Sequence, residues 1–390
     1  MPFLLGSVSR RWRQLARSTP QLWSTVSFTR VTRRGKDEPA PPPLQIINDW
    51  LQLSCSLPLT FCVVEDPSCE FFGEICRPVI DALNQHSGRW HKVSLQLYKH
   101  YLPFFCGTSP PNNLHTLEIG QDEEWDCDET PTTYFRMNST PSPTRLAIEA
   151  LNLLELDVSW GNVTCLTLVG LPPHECILAT RLAPLLECCT LFELDLPIDD
   201  YSSALRSKRS FKNTRLRTLR LHGTADLLDV FIEAVEFPAL EELIYGEEIF
   251  LPAHGFISLF NRSGNCLKKL TLNLCEDSGE IAENLMELLE AIPSLEHLEC
   301  VFPIRSSAMD SLFQKLSWSP PDSEFIPKLQ SLTLCVYSSI SVLGFMSCIF
   351  SWSHRKDLRL TVNTAGFRTE DGDLDEISQL VEKGYNIRLV

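Results

Sequence analysis

The sequence predicts an α/β solenoid in which a short strand and a helix repeat many times, and three observations carry that expectation. A leucine pattern, L-x-x-L-x-L, recurs at near-even spacing along the chain. Between its copies the apolar period lengthens from two to about 3.6 residues, the change that separates a strand from an amphipathic helix. The 390 residues are 44% hydrophobic and 22% charged, enough to bury a long core. The longest nearly apolar run, 341–352, is twelve residues, against about 20 for a spanning helix, so no membrane role is expected.

The copies run LHTLEI (114–119), LLELDV (153–158), VTCLTL (163–168), LFELDL (191–196), LRTLRL (216–221) and LEELIY (240–245). They continue as LKKLTL (267–272), LEHLEC (295–300), LQSLTL (329–334) and a partial DLRLTV (357–362). From Leu191 the steps are 25, 24, 27, 28 and 34 residues, close to the roughly 20–29 of a leucine-rich repeat. Side chains alternate along a strand, so the second and third leucines share one face while the first closes the preceding turn. One copy cannot bury that row. Stacked copies can, giving a horseshoe with a parallel sheet on the concave face and helices on the convex face.

The intervening segments carry helical spacing. DLLDVFIEAVEF (226–237) places Leu227, Leu228, Phe231 and Val235 on one face, and SGEIAENLMELLEAI (278–292) does so with Ile281, Leu285, Leu288, Leu289 and Ile292. Asp277 or Ser278 can cap the latter. ECILATRLAPLLECC (175–189), kinked at Pro184, and SSAMDSLFQKL (306–316) read as further helices. The expected organisation is a helical head (1–29), a basic and Pro-rich linker (30–43) and the repeats (44–390). An acidic, Ser/Thr/Pro-rich loop (121–144) interrupts the repeats and holds the Thr140-Pro141 and Ser142-Pro143 dipeptides.

Charge divides the chain at the linker. Residues 1–36 hold seven Arg, Lys36 and no acid, giving +8; the other 26 bases against 50 acids leave −24. Phosphate affinity comes from Lys and Arg displacing counterions, so an acidic body argues against nucleic acid. After MPFLL the chain turns to GSVSRRWR, without the apolar core of a signal peptide. A cytoplasmic or nuclear location is expected, with the 15 cysteines reduced and mostly buried. RVTRRGK (30–36) is read as a solvated tail or a nuclear signal. No C-x-x-C occurs. Cys55, Cys62, Cys69 and Cys76 recur every seven residues, but Pro58 and Pro67 forbid one continuous helix.

Enzyme motifs are absent: there is no G-x-S-x-G, H-E-x-x-H, P-loop or dinucleotide fingerprint. DGDLDEISQLVE (371–382) places Asp371, Asp373, Asp375 and Glu382 as in a calcium loop, but Glu376 stands where the sharp turn needs Gly. No metal or cofactor is expected, and the function falls to surface recognition. The residues between the leucines line the concave face: Glu193, Asp195, Thr218, Arg220, Glu242, Ile244, Lys269, Thr271, His297, Glu299, Ser331 and Thr333. Their mixed signs point to a polar protein partner, an unidentified protein substrate.

At the N-terminus, helical spacing predicts one helix from about Leu4 to Ser18, with Leu4, Val8, Trp12 and Leu15 on one face and Pro20 as its stop. The run Val8, Ser9, Arg10, Arg11, Trp12, Arg13, Leu15, Ala16, Pro20, Leu22 and Trp23 resembles the C-terminal half of an F-box. Three later phrases are similar to those of an expanded fungal class of F-box/leucine-rich-repeat proteins. They are Trp50, Leu51, Ser54, Pro58 and Leu59; His86, Ser87, Arg89, Trp90, Val93 and Leu95; and Trp160, Val163, Thr164, Leu166 and Leu168. LFNRSGNCLKKLTL (259–272) shares the look. The chain starts partway into the F-box pattern, without its opening LPxEI-type helix, so the expected F-box is N-terminally truncated.

The resemblance implies a non-catalytic substrate-recognition subunit of a Skp-cullin-F-box type E3 ubiquitin ligase. Leu4, Leu5, Val8, Trp12, Leu15, Leu22 and Trp23 would bind a Skp-family adaptor while the repeats hold the target. The alternative is a stand-alone repeat scaffold whose head only caps the first repeat.

Overall fold

The structure, a computed structural model, describes residues 2–29, 44–64, 72–120, 134–194, 210–223, 225–248, 250–275, 278–302, 307–318, 325–336, 358–363, 381–382 and 386–389. The chain divides into two compact units, one of Met1–Leu171 and Leu182–Leu185, the other of Pro172–Arg181 and Leu186–Val390. The linker 30–43, most of the acidic loop (121–133), Asp195, Asp277 and the calcium-loop look-alike up to residue 380 lie outside the described residues.

In the first unit the strands β1 (Thr25–Thr29), β2 (Leu59–Val64), β3 (Trp90–Gln96), β4 (Thr116–Gly120), β5 (Arg145–Glu149) and β6 (Cys165–Val169) pair in chain order, all parallel. Alternation puts one row of each strand inside. Val26, Phe61, Val93, Leu117, Leu146 and Leu166 follow one another across the sheet, and all are buried. Helices α1 (Pro2–Val8) and α2 (Arg10–Arg17) precede β1, α3 (Leu44–Leu53) precedes β2, and α4 (Phe72–Asn84) precedes β3. Cys55 follows α3 and Cys62 lies within β2, so the seven-residue cysteine spacing spans a strand and not one helix.

The second unit repeats the scheme. Strands β7 (Cys188–Phe192), β9 (Thr218–His222), β11 (Glu242–Glu248), β12 (Lys269–Leu274), β13 (His297–Phe302), β14 (Ser331–Val336), β15 (Arg359–Asn363) and β16 (Ile387–Leu389) form a parallel run in that order. Cys189, Leu219, Leu243, Leu270, Leu298, Leu332 and Leu360 make one buried row; Leu191, Leu221, Tyr245, Leu272, Cys300, Leu334 and Val362 make the next. Fully burying a leucine stabilises by about 1.5–3 kcal/mol, and only a stacked neighbour completes that burial. Two short strands, β8 (Phe211–Lys212) and β10 (Val235–Glu236), pair separately.

The helices of this unit are α5 (Pro173–Leu182), α6 (Ala225–Glu233), α7 (Ala253–Ser263), α8 (Gly279–Glu290) and α9 (Ser307–Trp318). In α8 the residues Ile281, Leu285, Leu288 and Leu289 are buried as their spacing requires, and Ser278 supplies the cap, its Oγ accepting from the Ile281 N–H at 3.1 Å. Aromatic contact ties sheet to helix: Tyr245 on β11 meets Phe256 on α7 edge-on, ring centroids 5.4 Å apart. Gly264 ends α7 at φ +90°, a conformation costly for a side chain bearing Cβ.

Four expectations need correction. The helix expected to run to Cys189 through a kink ends at Leu182 instead, because Pro184 disfavours helix in the residue before it and cannot donate. Val235 stands in β10, not on the helix, which ends at Glu233. The copy LLELDV is not a sheet strand. Asn152 and Glu155 form a reciprocal capping box that winds Leu153–Glu155 into a 3₁₀ turn, leaving Leu154 exposed. The strand of that repeat is β5 (Arg145–Glu149), so the pattern reads Pro143-x-x-Leu146-x-Ile148, all three buried.

The copy LFELDL is likewise displaced. The strand is Cys188–Phe192, so the pattern reads Leu186-x-x-Cys189-x-Leu191, all three fully buried. Glu193 follows it at φ +46° and ends the extended backbone.

Candidate functional site

The head is built from two short helices and not one. Ser9 is extended (φ −159°, ψ 167°), and its side chain accepts from the Trp12 N–H, capping α2. Arg13 Nε donates to the Gly6 carbonyl at 2.9 Å, holding the two helices together. Leu4 and Val8 therefore no longer share a helical face with Trp12 and Leu15 by simple spacing. All four nevertheless stay at the surface: Leu4 is 66% exposed, Val8 69%, Trp12 48% and Leu15 56%, with Leu22 at 38%. Leu5 is half-buried.

Trp23 differs from the other six. It is 2% exposed, so it offers no docking surface. Its indole N–H donates to the Ala16 carbonyl at 2.7 Å, and its ring meets Phe3 and Trp50 edge-on at 5.2 and 5.4 Å. Phe3 and Trp50 close the triangle at 5.3 Å. Trp23 thus fixes α1, α2 and α3 against one another. Phe3, which the apolar spacing leaves out, adds to the exposed apolar surface at 45%. Around this surface stand Arg10, Arg11, Arg13 and Arg17, all exposed, with no acid among residues 2–29.

Residues of two phrases singled out in the sequence, Ser54 of the first and Ser87, Arg89 and Trp90 of the second, serve as joints. Arg89 donates from Nη2 to Ser54 Oγ at 2.7 Å and from Nε to the Leu57 carbonyl at 3.0 Å. Ser87 Oγ accepts from the Thr108 and Ser109 N–H groups, and Trp90 Nε1 donates to the Leu83 carbonyl at 3.1 Å. Burial, and then the charge of Arg89, hold His86 below its ordinary value of 6.5.

On the open face of the second unit, the strand register brings together ten of the twelve residues that the sequence assigns to it. Thr218, Glu242, Lys269, His297 and Ser331 stand side by side in one row, and Arg220, Ile244, Thr271, Glu299 and Thr333 in the next. Glu193 lies past the end of β7 and Asp195 is outside the described residues; the position in register with Arg220 is Thr190. Glu242 is tied down by Lys269 Nζ at 2.7 Å and the Thr218 hydroxyl at 3.2 Å. Burial opposes its ionisation, but Lys269, Thr218 and Arg220 prevail and keep its carboxyl below the ordinary 4.5.

One residue before each strand, a row of alternating sign crosses the sheet: Glu187, Arg217, Glu241, Lys268 and Glu296, joined by backbone hydrogen bonds of 2.8–2.9 Å. Glu241 takes both neighbours, Arg217 at 3.2 Å and Lys268 at 3.1 Å, and the Lys268 hydrogen bond leads in lowering its carboxyl pKa.

The first unit carries an equivalent sheet face, which the leucine pattern marks at LHTLEI and VTCLTL but not at the strand holding Lys92 and Gln96. Lys92 pairs with Glu118 at 2.6 Å, and Gln96 donates to Glu149 at 3.0 Å. WHKVSL (90–95) holds the signal, with Trp90 in the place of the first leucine. The described part of the acidic loop is likewise built into the first unit: Phe135 is fully buried and bridges Leu156, while exposed Thr140 lies 3.4 Å from Asp157.

Among the described residues no three His, Cys, Asp or Glu side chains converge to hold a metal ion, and no helix is long and apolar enough to cross a membrane. The geometry supplies two exposed surfaces, one apolar and basic on the head, one polar on the sheet. Neither a protein-family model nor a curated protein matches this chain.

Proposed function

We propose that the chain is a leucine-rich-repeat protein with an F-box-like head, serving as the substrate-recognition subunit of a Skp-cullin-F-box type E3 ubiquitin ligase in the cytoplasm or nucleus. The observation that carries this reading is the exposure of Leu4, Val8, Trp12, Leu15 and Leu22 on a head packed internally through buried Trp23 and its contact with Trp50. Five large apolar side chains exposed on one short head among exposed arginines support an interaction site. The arginines around them favour an acidic adaptor. The protein performs no chemistry itself; the repeats hold the target.

The test is retention of a purified Skp-family adaptor by the 390-residue chain. The expected result is capture that is lost in Val8→Asp and Trp12→Asp while the thermal melt is unchanged. Failure of the unaltered chain to retain the adaptor, or capture that survives both substitutions, overturns the reading. A second reading, a stand-alone repeat scaffold, is favoured by Trp23: in WSTVSF it fills the first place of the repeat pattern, so the head continues directly into the first strand.

A further inference from the structure

We propose that the open sheet face of the second unit binds an extended acidic peptide, with Arg220 at one pole and Arg359 and Arg388 at the other. This deepens the receptor reading and rests on it only in taking the bound target to be a protein.

The inference starts from a reversal of charge. Outside its first 36 residues the chain carries −24, and α8 alone exposes Glu280, Glu283, Glu287 and Glu290. Across the open face, the three rows running from β7 to β16 hold four cations, Arg220, Lys269, Arg359 and Arg388, against two acids, Glu242 and Glu299. Among the described residues, these rows carry more cations than acids in a chain whose overall balance is acidic.

Depth sharpens the contrast. Both acids are half-buried and already engaged: Glu242 by Lys269 and Thr218, Glu299 by the Thr271 hydroxyl at 3.5 Å. Arg220, Arg359, Arg388 and the imidazole of His297 are exposed. An approaching chain meets guanidinium groups first, and these bind carboxylates in bidentate fashion more strongly than neutral donors do. Thr271, Thr333 and Thr361 share the row of Arg220 and Arg388 and place hydroxyl groups between the poles.

Spacing defines the ligand. Arg359 and Arg388 sit on neighbouring strands, while β9 and β15 are separated by β11, β12, β13 and β14. Five strand spacings make about 24 Å, or about seven residues of extended peptide. The ligand is therefore a segment with acidic residues about seven positions apart. A nucleic acid fits less well: its affinity grows with the number of cations set against phosphates, and here Glu242 and Glu299 lie between the four cations and repel phosphate.

The experiment is fluorescence anisotropy on the full chain with a labelled peptide carrying two glutamate pairs seven residues apart. The same peptide with lysine for glutamate and a 20-nucleotide single-stranded DNA serve as comparators. Expected are saturable binding of the glutamate peptide, about tenfold weakening in Arg220→Gln, and a similar loss in Arg359→Gln/Arg388→Gln. Arg217→Gln, off this face, is expected to bind normally, and unchanged melting of all variants reports intact folding. Equal affinity in the face variants, equal binding of the lysine peptide, or tighter binding of the DNA overturns the proposal. Adaptor capture by the same variants separates the two readings: a chain that binds the peptide and no adaptor refutes the ligase role alone.

Discussion

Arg89 reaches back across the first unit to Ser54, its Nη2 2.7 Å from the serine Oγ. Ser54 is fully buried, and its hydroxyl donates in turn to the Leu51 carbonyl at 2.7 Å. The turn after α3 and the turn before β3 are thereby one joint, made by residues 35 apart. Ser54→Ala leaves a part-buried guanidinium donor without its acceptor and is expected to cost about 1–3 kcal/mol. Urea unfolding of Ser54→Ala, Arg89→Met and the double variant measures the coupling. If the single effects add within about 0.3 kcal/mol, the joint contributes nothing.

His86 makes the same joint sensitive to pH. Its Nδ1 lies 3.4 Å from Arg89 Nη1, and its folded pKa is held below 6.5 by burial first and the Arg89 charge second. The unfolded chain then takes up the proton at higher pH than the folded one does. The contribution is complete above pH 6.5 and is lost as pH falls through the folded pKa. Melts at about pH 7.5, 6.5 and 5.5 should show a steeper loss for the wild type than for His86→Gln; parallel curves would remove His86 as the cause.

Trp12 and Trp23 should part company. Trp23→Ala empties a buried site and breaks its bond to Ala16, an expected loss of about 3–5 kcal/mol. Trp12, half in solvent, should cost under about 1 kcal/mol on truncation. Comparable melting shifts for the two variants would contradict the buried and exposed environments described for them.

Much of the fold is legible in the sequence because the force that builds it, burial of alternate apolar side chains, is written plainly at Leu117, Leu219, Leu270 and Leu298. It is hidden where another residue type does the work of leucine. Cys189 fills a spine position as a small apolar group, so the leucine-richer LFELDL outweighs LECCTL, although the strand lies in the latter. Trp23 and Trp90 hold the first place of the pattern in WSTVSF and WHKVSL, where a tryptophan draws attention as a motif residue and not as a spacer. The single head helix fails for a different reason: the capping bond from Ser9 to the Trp12 N–H ends one helix and starts another, and apolar spacing carries no trace of it. The open face transfers well, since one correct register fixes all its neighbours.

Thiol chemistry offers an independent check on burial. Cys176, Cys189 and Cys300 are fully buried, which pushes each thiol well above its ordinary range, while Cys55 and Cys266 are exposed. A thiolate is the reactive form. Maleimide under native conditions should modify Cys55 and Cys266, leaving the other three for denaturant, as read by peptide mass spectrometry. Early modification of Cys189 or Cys300 would contradict the two buried rows.

The row from Glu187 to Glu296 gives the array a parity. Each strand presents the opposite sign to its neighbour, so excising the Glu241 repeat would set Arg217 beside Lys268, whereas excising two would set Arg217 beside Glu296. Exposed pairs of this kind are worth at most about 1 kcal/mol each, too little to hold the fold, yet enough to bias which lengths are tolerated. Repeats of this stretch are expected to be lost or gained more readily in twos than singly, a rule that melting of one-repeat and two-repeat deletions would expose.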